Sequence, residues 1–221
     1  MKRAVFVLLF AVGCSSAPPR GFGSDSDAAP PGDDAGSSTT TSACAAGYPQ
    51  GPYGTGVGKI VNPGYSWQGY LPNQTTVSTL TPQDLFDCDG SKGINAILID
   101  VAAEWCEACQ SQATNTPALF SQYDALGIRA VTLVVQDQDQ APATTATAMQ
   151  WKQQFGLTDV TVCADPAFSF APIGQSSVSL PVTIVVDPRT MEIMKVDQGY
   201  VAAYPIQPDA EAVAIAQKNG G

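Results

Sequence analysis

The chain contains no histidine among its 221 residues. That absence removes any Ser-His-Asp triad, the c-type haem attachment motif and most mixed Cys/His zinc sites. Positive charge is scarce as well: ten Lys and Arg stand against twenty Asp and Glu, a net charge of −10. A nucleic-acid partner, which would need a basic surface to neutralise phosphates, is excluded on that balance. Long hydrophobic runs are also missing. The apolar run Ala4 to Val12 has nine residues, too few to cross a bilayer, and there is no second hydrophobic span and no internal repeat.

That short run comes after Lys2 and Arg3, and its length suits the core of a signal peptide. It ends Ala11-Val12-Gly13-Cys14, which resembles a bacterial lipobox, with Ala11 where leucine is usual. The resemblance implies cleavage before Cys14 and a diacylglycerol on its sulfur. The segment also reads as a plain secretory signal with a stray cysteine, but the composition after Cys14 favours the anchor. Residues 15 to 43 carry four prolines, four Asp, repeated Gly and Ser, and Phe22 as the only large apolar side chain. Such a composition cannot build a core. As a flexible tether of about thirty residues it reaches on the order of 30 Å, enough to hold a domain clear of lipid headgroups. Ser15 after the anchor lacks the aspartate linked to inner-membrane retention, which favours outer-membrane sorting. The expected organisation is a lipoprotein signal peptide over 1–13, a lipid-anchored disordered tether over 14–43, and one domain over 44–221 with an N-terminal extension at 44–90. Loss of Lys2 and Arg3 would leave twenty acidic residues against eight basic, or −12.

The most informative feature of that domain is the string Ile97-Leu98-Ile99-Asp100-Val101-Ala102-Ala103-Glu104-Trp105-Cys106-Glu107-Ala108-Cys109. An apolar strand runs into two cysteines separated by two residues, and a helical pattern leaves from them. A strand ending at a helix N-terminus sets the first sulfur beside unpaired N–H groups and the positive end of the helix dipole, which favour thiolate. Cys106 is thus the expected nucleophile. Cys109, one helical turn on, can reach back and resolve a mixed disulfide. A structural bridge closing two residues removes little loop entropy, and a zinc site would need a second ligand pair that the chain lacks, so no metal is expected. Glu107 places a negative charge beside the nucleophile and opposes the helix dipole.

Residues 96 to 109 resemble the active-site segment of thioredoxins: a hydrophobic strand, an acidic residue six positions before the first cysteine, then Ala-Glu-Trp-Cys-x-x-Cys. Leu180-Pro181-Val182-Thr183-Ile184-Val185-Val186-Asp187 is similar to the family's cis-proline loop and the core strand after it. The resemblance covers about residues 90 to 200, and the long stretch between the two blocks looks like the membrane-tethered redoxin branch. It implies a redox pair at Cys106 and Cys109, a buried proton acceptor at Asp100, and a substrate groove at Trp105, Leu180 and Pro181 with a cis bond before Pro181. It implies protein disulfide or dithiol substrates, a membrane electron donor and no cofactor. Two departures bear on redox tuning: Ala108 replaces the usual proline before the second cysteine, and Glu107 precedes it. The only candidate for the family's helix-kinking proline is Pro117, further from the cysteines. Lack of histidine also argues against the copper-carrying relatives.

A mixed central β-sheet flanked by helices is expected, an α/β domain of thioredoxin-like fold with an irregular N-terminal extension. The pattern predicts strands at 94–100, 128–135, 160–163, 182–186 and 191–197, the last two joined across Asp187-Pro188-Arg189-Thr190. Helices are predicted at 106–126, with Ala113, Thr116, Phe120 and Tyr123 on one face and Gly127 as stop; from Asp139 or Gln140, with Pro142 in the first turn and Ala148, Trp151 and Phe155 on one face before Gly156; and at 208–218. The Gly, Pro and Tyr-rich stretch 44–75 reads as loops, with a short hairpin covering one sheet edge and aromatics that pack the extension on the domain. Three pairings are possible among Cys44, Cys88 and Cys163. Cys44 with Cys88 is the pairing expected in an oxidising compartment, because both lie in irregular segments, and Cys163 is expected as a buried thiol.

Three functions fit this reading. They are a thiol-disulfide oxidoreductase, a thiol peroxidase of the redoxin type, and a non-catalytic binding protein that keeps the fold. The peroxidase setting Pro-x-x-x-Thr-x-x-Cys is found around neither Cys106 nor Cys163.

Overall fold

Eight successive residues, Ala96–Ala103, form the central strand of the sheet. In a computed structural model, residues 43–170, 178–200 and 209–221 are described. The signal peptide, Cys14 and the tether lie outside them. The described residues fall in one compact unit, Thr40–Gly221. After a 3₁₀ turn at Ala43–Ala46 come β1 (Trp67–Tyr70), β2 (Ser78–Leu80), α1 (Pro82–Leu85), β3 (Ala96–Ala103), α2 (Glu107–Ala125), β4 (Ile128–Gln136), α3 (Thr145–Gln154), β5 (Thr161–Ala164), β6 (Val182–Asp187), β7 (Glu192–Gln198) and α4 (Asp209–Asn219).

The seven strands order as β2-β1-β5-β4-β3-β6-β7. β3 pairs in parallel with β4 and antiparallel with β6, and β4 pairs in parallel with β5, so the sheet is mixed. A central strand is covered on both faces, which is why β3 and β4 read as near-continuous apolar runs. Side chains alternate across the sheet. Ala96 and Leu98 pack with Tyr123 of α2 and with Ala212, Ile215 and Ala216 of α4, whereas Ile97, Ile99 and Val101 belong to the larger cluster with Trp151 of α3 and Phe170.

The extension does more than lie along one edge. β1 pairs with β5 and β2, adding two strands on that side. At the opposite edge residues 58–61 bond to β7: Gly58 N–H donates to Ile193 O at 2.8 Å, Ile193 N–H to Lys59 O at 2.8 Å and Val61 N–H to Met191 O at 2.9 Å. The edge of β5 is thereby paired, and the edge at β7 is engaged at Met191 and Ile193. Trp67–Tyr70 lies in the stretch that reads as loop, because a four-residue strand containing Gly69 carries no period-2 signal. Gly69 is needed there, since a Cβ would run into Val162 O and Cys163. The extension's aromatics pack: Tyr48 meets Phe86 edge-on at 5.3 Å, and Tyr65 and Phe170 enclose Trp67.

One expected helix start is wrong. α3 begins at Thr145, not at Asp139 or Gln140, because the Asp137 carboxylate accepts N–H bonds from Asp139 and Ala141 and folds 137–141 into a turn in which Gln140 has φ 63°. Pro142 instead bridges to Gln136, and Thr144 caps the helix reciprocally with Thr147. β3 also runs three residues past Asp100. Pro117 sits inside α2 without ending it; in the turn before it, Thr114, Asn115 and Thr116 bond back to the carbonyls of Gln110, Ser111 and Gln112.

Candidate active site

β3 delivers the chain to the start of α2, and Cys106 is the N-cap residue of that helix. Its Sγ accepts the Cys109 N–H at 3.1 Å, so one of the unpaired donors of the first turn is spent on sulfur. The two sulfurs are bonded to each other. Cys106 keeps 6% of its surface exposed and Cys109 none, so the second cysteine is closed to solvent. Glu107 is exposed, where water weakens its opposition to a thiolate at Cys106, and Ala108 is half-buried against the core.

Asp100 lies on the same strand, six residues before Cys106, and faces α2. Its Oδ1 accepts a hydrogen bond from Gln112 Nε2 at 2.7 Å, and Gln112 comes one helical turn after Cys109. Burial raises the Asp100 pKa to about 7, and the Gln112 bond works in the opposite direction. The second Gln112 amide proton goes to Thr183 Oγ1 at 3.2 Å. Thr183 is the register partner of Asp100 across β3 and β6. Asp100, Gln112, Thr116, Tyr123 and Thr132 line a cavity of about 10 Å³, the room of about one water molecule.

The peptide bond between Leu180 and Pro181 is cis. Because Val182 pairs with Val101, Leu180 and Pro181 continue alongside the end of β3 that leads to Cys106. Leu180 and Cys106 belong to the same apolar cluster, and among the described residues the Leu180 backbone has no hydrogen-bond partner. Trp105 is 37% exposed, and its indole N–H donates to Gln136 Oε1 at 3.0 Å. Cys44 and Cys88 are bonded to each other, and Cys163 is a fully buried thiol whose pKa burial pushes up to about 12.

Four residues of this site escape a reading of the sequence for function. Thr183 sits between Val182 and Ile184 and Gln112 in the mostly polar run Gln110 to Thr116, and the one available signal is a long amide one turn after Cys109 on the buried face of α2. Gln136 ends β4. Glu104 is buried beside the cysteines, with Oε2 accepting the Gln138 N–H at 3.1 Å while Oε1 has no partner, and burial raises its pKa. Its backbone carbonyl accepts from Gln110 Nε2 at 2.6 Å, which ties the Glu104 to Cys106 turn to the first turn of α2. Among the described residues no helix is long and apolar enough to cross a membrane.

No family model matches the chain, and no curated protein does. Solved structures do. A reduced 2-Cys peroxiredoxin from Plasmodium vivax superposes with a TM-score of 0.51 at 13% identity, over 73% of this chain and 94% of that one. The AhpC protein of Enterococcus faecalis gives 0.51 at 11% identity, over 75% and 96%. A thiol:disulfide interchange protein DsbE from Chlorobium tepidum gives 0.45 at 18% identity, over 71% and 97%. At these identities the likeness is one of fold. With the sheet order and the flanking helices, the two superpositions above 0.5 show that this chain has a thioredoxin-like fold.

Proposed function

We propose that this protein is a thiol-disulfide oxidoreductase of the bacterial envelope, lipid-anchored through Cys14, that exchanges disulfides with protein substrates. The single observation that carries the reading is the Cys106–Cys109 pair at the start of α2, at the end of the strand that carries the half-buried Asp100. In the reducing direction the Cys106 thiolate attacks one sulfur of a substrate disulfide; the other sulfur leaves as a thiolate and takes a proton from solvent. Cys109 then gives its proton to the Asp100 carboxylate and attacks Cys106 Sγ. The mixed disulfide breaks, the second substrate sulfur leaves, and Cys106–Cys109 is left oxidised. A membrane electron donor returns two electrons, and two protons complete the dithiol.

Trp105, Leu180 and Pro181 form the proposed substrate groove, in which the free Leu180 backbone bonds an extended chain as an added strand would. Glu107 and Ala108 tune the potential of the pair. Cys44–Cys88 acts as a structural disulfide within the domain, and outer-membrane attachment is the proposed location.

The deciding experiment compares reduction of insulin disulfides with consumption of hydrogen peroxide by the purified protein. Activity confined to insulin supports the oxidoreductase. Peroxide as the main substrate would replace it with a thiol peroxidase, and neither activity would leave a binding protein.

A further inference from the structure

The Gln112 side chain is polar, 1% exposed and set in the middle of the α2 packing surface, an arrangement that costs stability unless its hydrogen bonds are made. Both amide protons are spent in one direction, on Asp100 Oδ1 at 2.7 Å and on Thr183 Oγ1 at 3.2 Å. The bond to Oδ1 is open to both forms of Asp100: the carboxylate accepts it, and an acid protonated on Oδ2 still accepts at Oδ1. Only a proton on Oδ1 itself would face an amide nitrogen that cannot receive it. The amide has an answer that a lysine or arginine would lack: turned over about its last torsion, it offers Oε1 to the acid proton. Thr183, whose hydroxyl both donates and accepts, serves either orientation. Nitrogen and oxygen differ little in size, and the 10 Å³ cavity lined by Asp100 and Gln112 leaves slack for the turn.

We propose that Gln112 is the positioning residue of Asp100, an uncharged adaptor that grips the acid in both of its protonation states, with Thr183 as its second anchor. The inference rests on the proton-acceptor role proposed for Asp100. A charged partner would fix one state of the acid; an amide lets the proton arrive from Cys109 and leave again without breaking the packing between α2 and the sheet. The other groups around Asp100 leave this to Gln112. From β4 it is faced by Thr132, its register partner, and from β6 by Thr183. α2 puts Thr116 and Tyr123 on the cavity wall, and Cys109 comes one turn before Gln112 on the same helix. Asp197 of β7 is next to Thr183 in register and is paired with Lys195, and α4 carries Glu211 and Lys218, the last paired with Asp187.

The test is a titration of the Asp100 side-chain carboxyl by ¹³C NMR in the full reduced chain, beside single-turnover rates of mixed-disulfide resolution. Gln112→Met keeps the shape and removes the hydrogen bonds; because the amide holds the carboxylate more strongly than the acid, the Asp100 midpoint should move up by about one pH unit, and resolution at pH 7 should slow about fivefold while the initial attack by Cys106 is unchanged. Thr183→Val, which removes only the second anchor, should move the midpoint in the same direction by less. An unmoved midpoint in folded Gln112→Met overturns the proposal, and if that variant does not fold, an unmoved midpoint in Thr183→Val overturns it. The two readings fail separately. A midpoint that moves in a protein with no disulfide exchange keeps the adaptor and removes the enzyme, whereas an active enzyme with an unmoved midpoint removes the adaptor alone.

Discussion

The indole N–H of Trp105 and the side-chain oxygen of Gln136 meet at 3.0 Å, so the exposed ring beside Cys106 is held by the last residue of β4. One net hydrogen bond is worth about 1 kcal/mol. Gln136→Ala should therefore raise KM for a protein disulfide by roughly two- to fivefold and leave kcat unchanged. Steady-state kinetics on a protein disulfide checks this; an unaltered KM would show that the ring is oriented by its packing.

The two cysteines should separate cleanly by substitution. Cys106→Ser removes the proposed nucleophile and should abolish exchange. Cys109→Ser should accumulate a mixed disulfide with substrate, visible on a non-reducing gel, because nothing remains to release it. Normal turnover by Cys109→Ser would sink the assignment.

Asp100 should give the enzyme a pH dependence on both rate and stability. The acceptor is the carboxylate, so with a midpoint near 7 resolution should fall about tenfold for each pH unit well below it, and Asp100→Asn should slow resolution more than initial attack. For stability the sign comes from proton binding. The folded value lies above the 3.8 of an ordinary aspartate, so between about pH 4 and 7 the native state holds more protons than the unfolded chain, and stability falls as pH rises through that window. Asp100→Asn should raise stability at pH 8 by roughly 1–3 kcal/mol and flatten that slope. Urea unfolding at pH 5 and pH 8 measures both.

Arg189, in the turn between β6 and β7, clasps the segment that carries Cys88. Its guanidinium pairs with buried Asp87 at 3.3 Å, and it also bonds Asp87 O, Ile94 O, Asn95 Oδ1 and Asn219 O. Arg189→Met strands a buried carboxylate and should cost about 3–5 kcal/mol in urea unfolding, with the site chemistry little changed. A loss under about 1 kcal/mol would mean that Asp87 is held by the Lys92 and Ile94 N–H groups alone.

Gly69→Ala tests how the extension joins the sheet. The added methyl meets the Val162 carbonyl and Cys163 across the β1–β5 pairing, with no flexible side-chain end to yield. Overpacking of this kind costs about 1–3 kcal/mol, so Tm should drop by several degrees. A Tm unchanged from the parent would show that β1 shifts freely on β5.

The sequence by itself determined the elements whose order is local. The apolar runs of β3, β4 and β6, the stops at Gly127 and Gly156, and the strand-to-helix passage at Cys106 are written in neighbouring residues, because burial on two faces, positive φ and a helix N-terminus each leave a short-range trace. Tertiary structure decided the rest. Trp67–Tyr70 became a strand only because β5 offered an edge, and residues 58–61 lined up only because β7 did. α3 started late because the Asp137 carboxylate outcompeted helix formation for the N–H groups of Asp139 and Ala141. The same holds at the site: Cys106, Cys109 and Asp100 lie within ten residues of one another, whereas Thr183 reaches Gln112 across 71 positions and Gln136 reaches Trp105 across 31. A hydrogen bond between residues far apart in the chain leaves no periodicity in the sequence, so those partners could be identified only once the strands were paired.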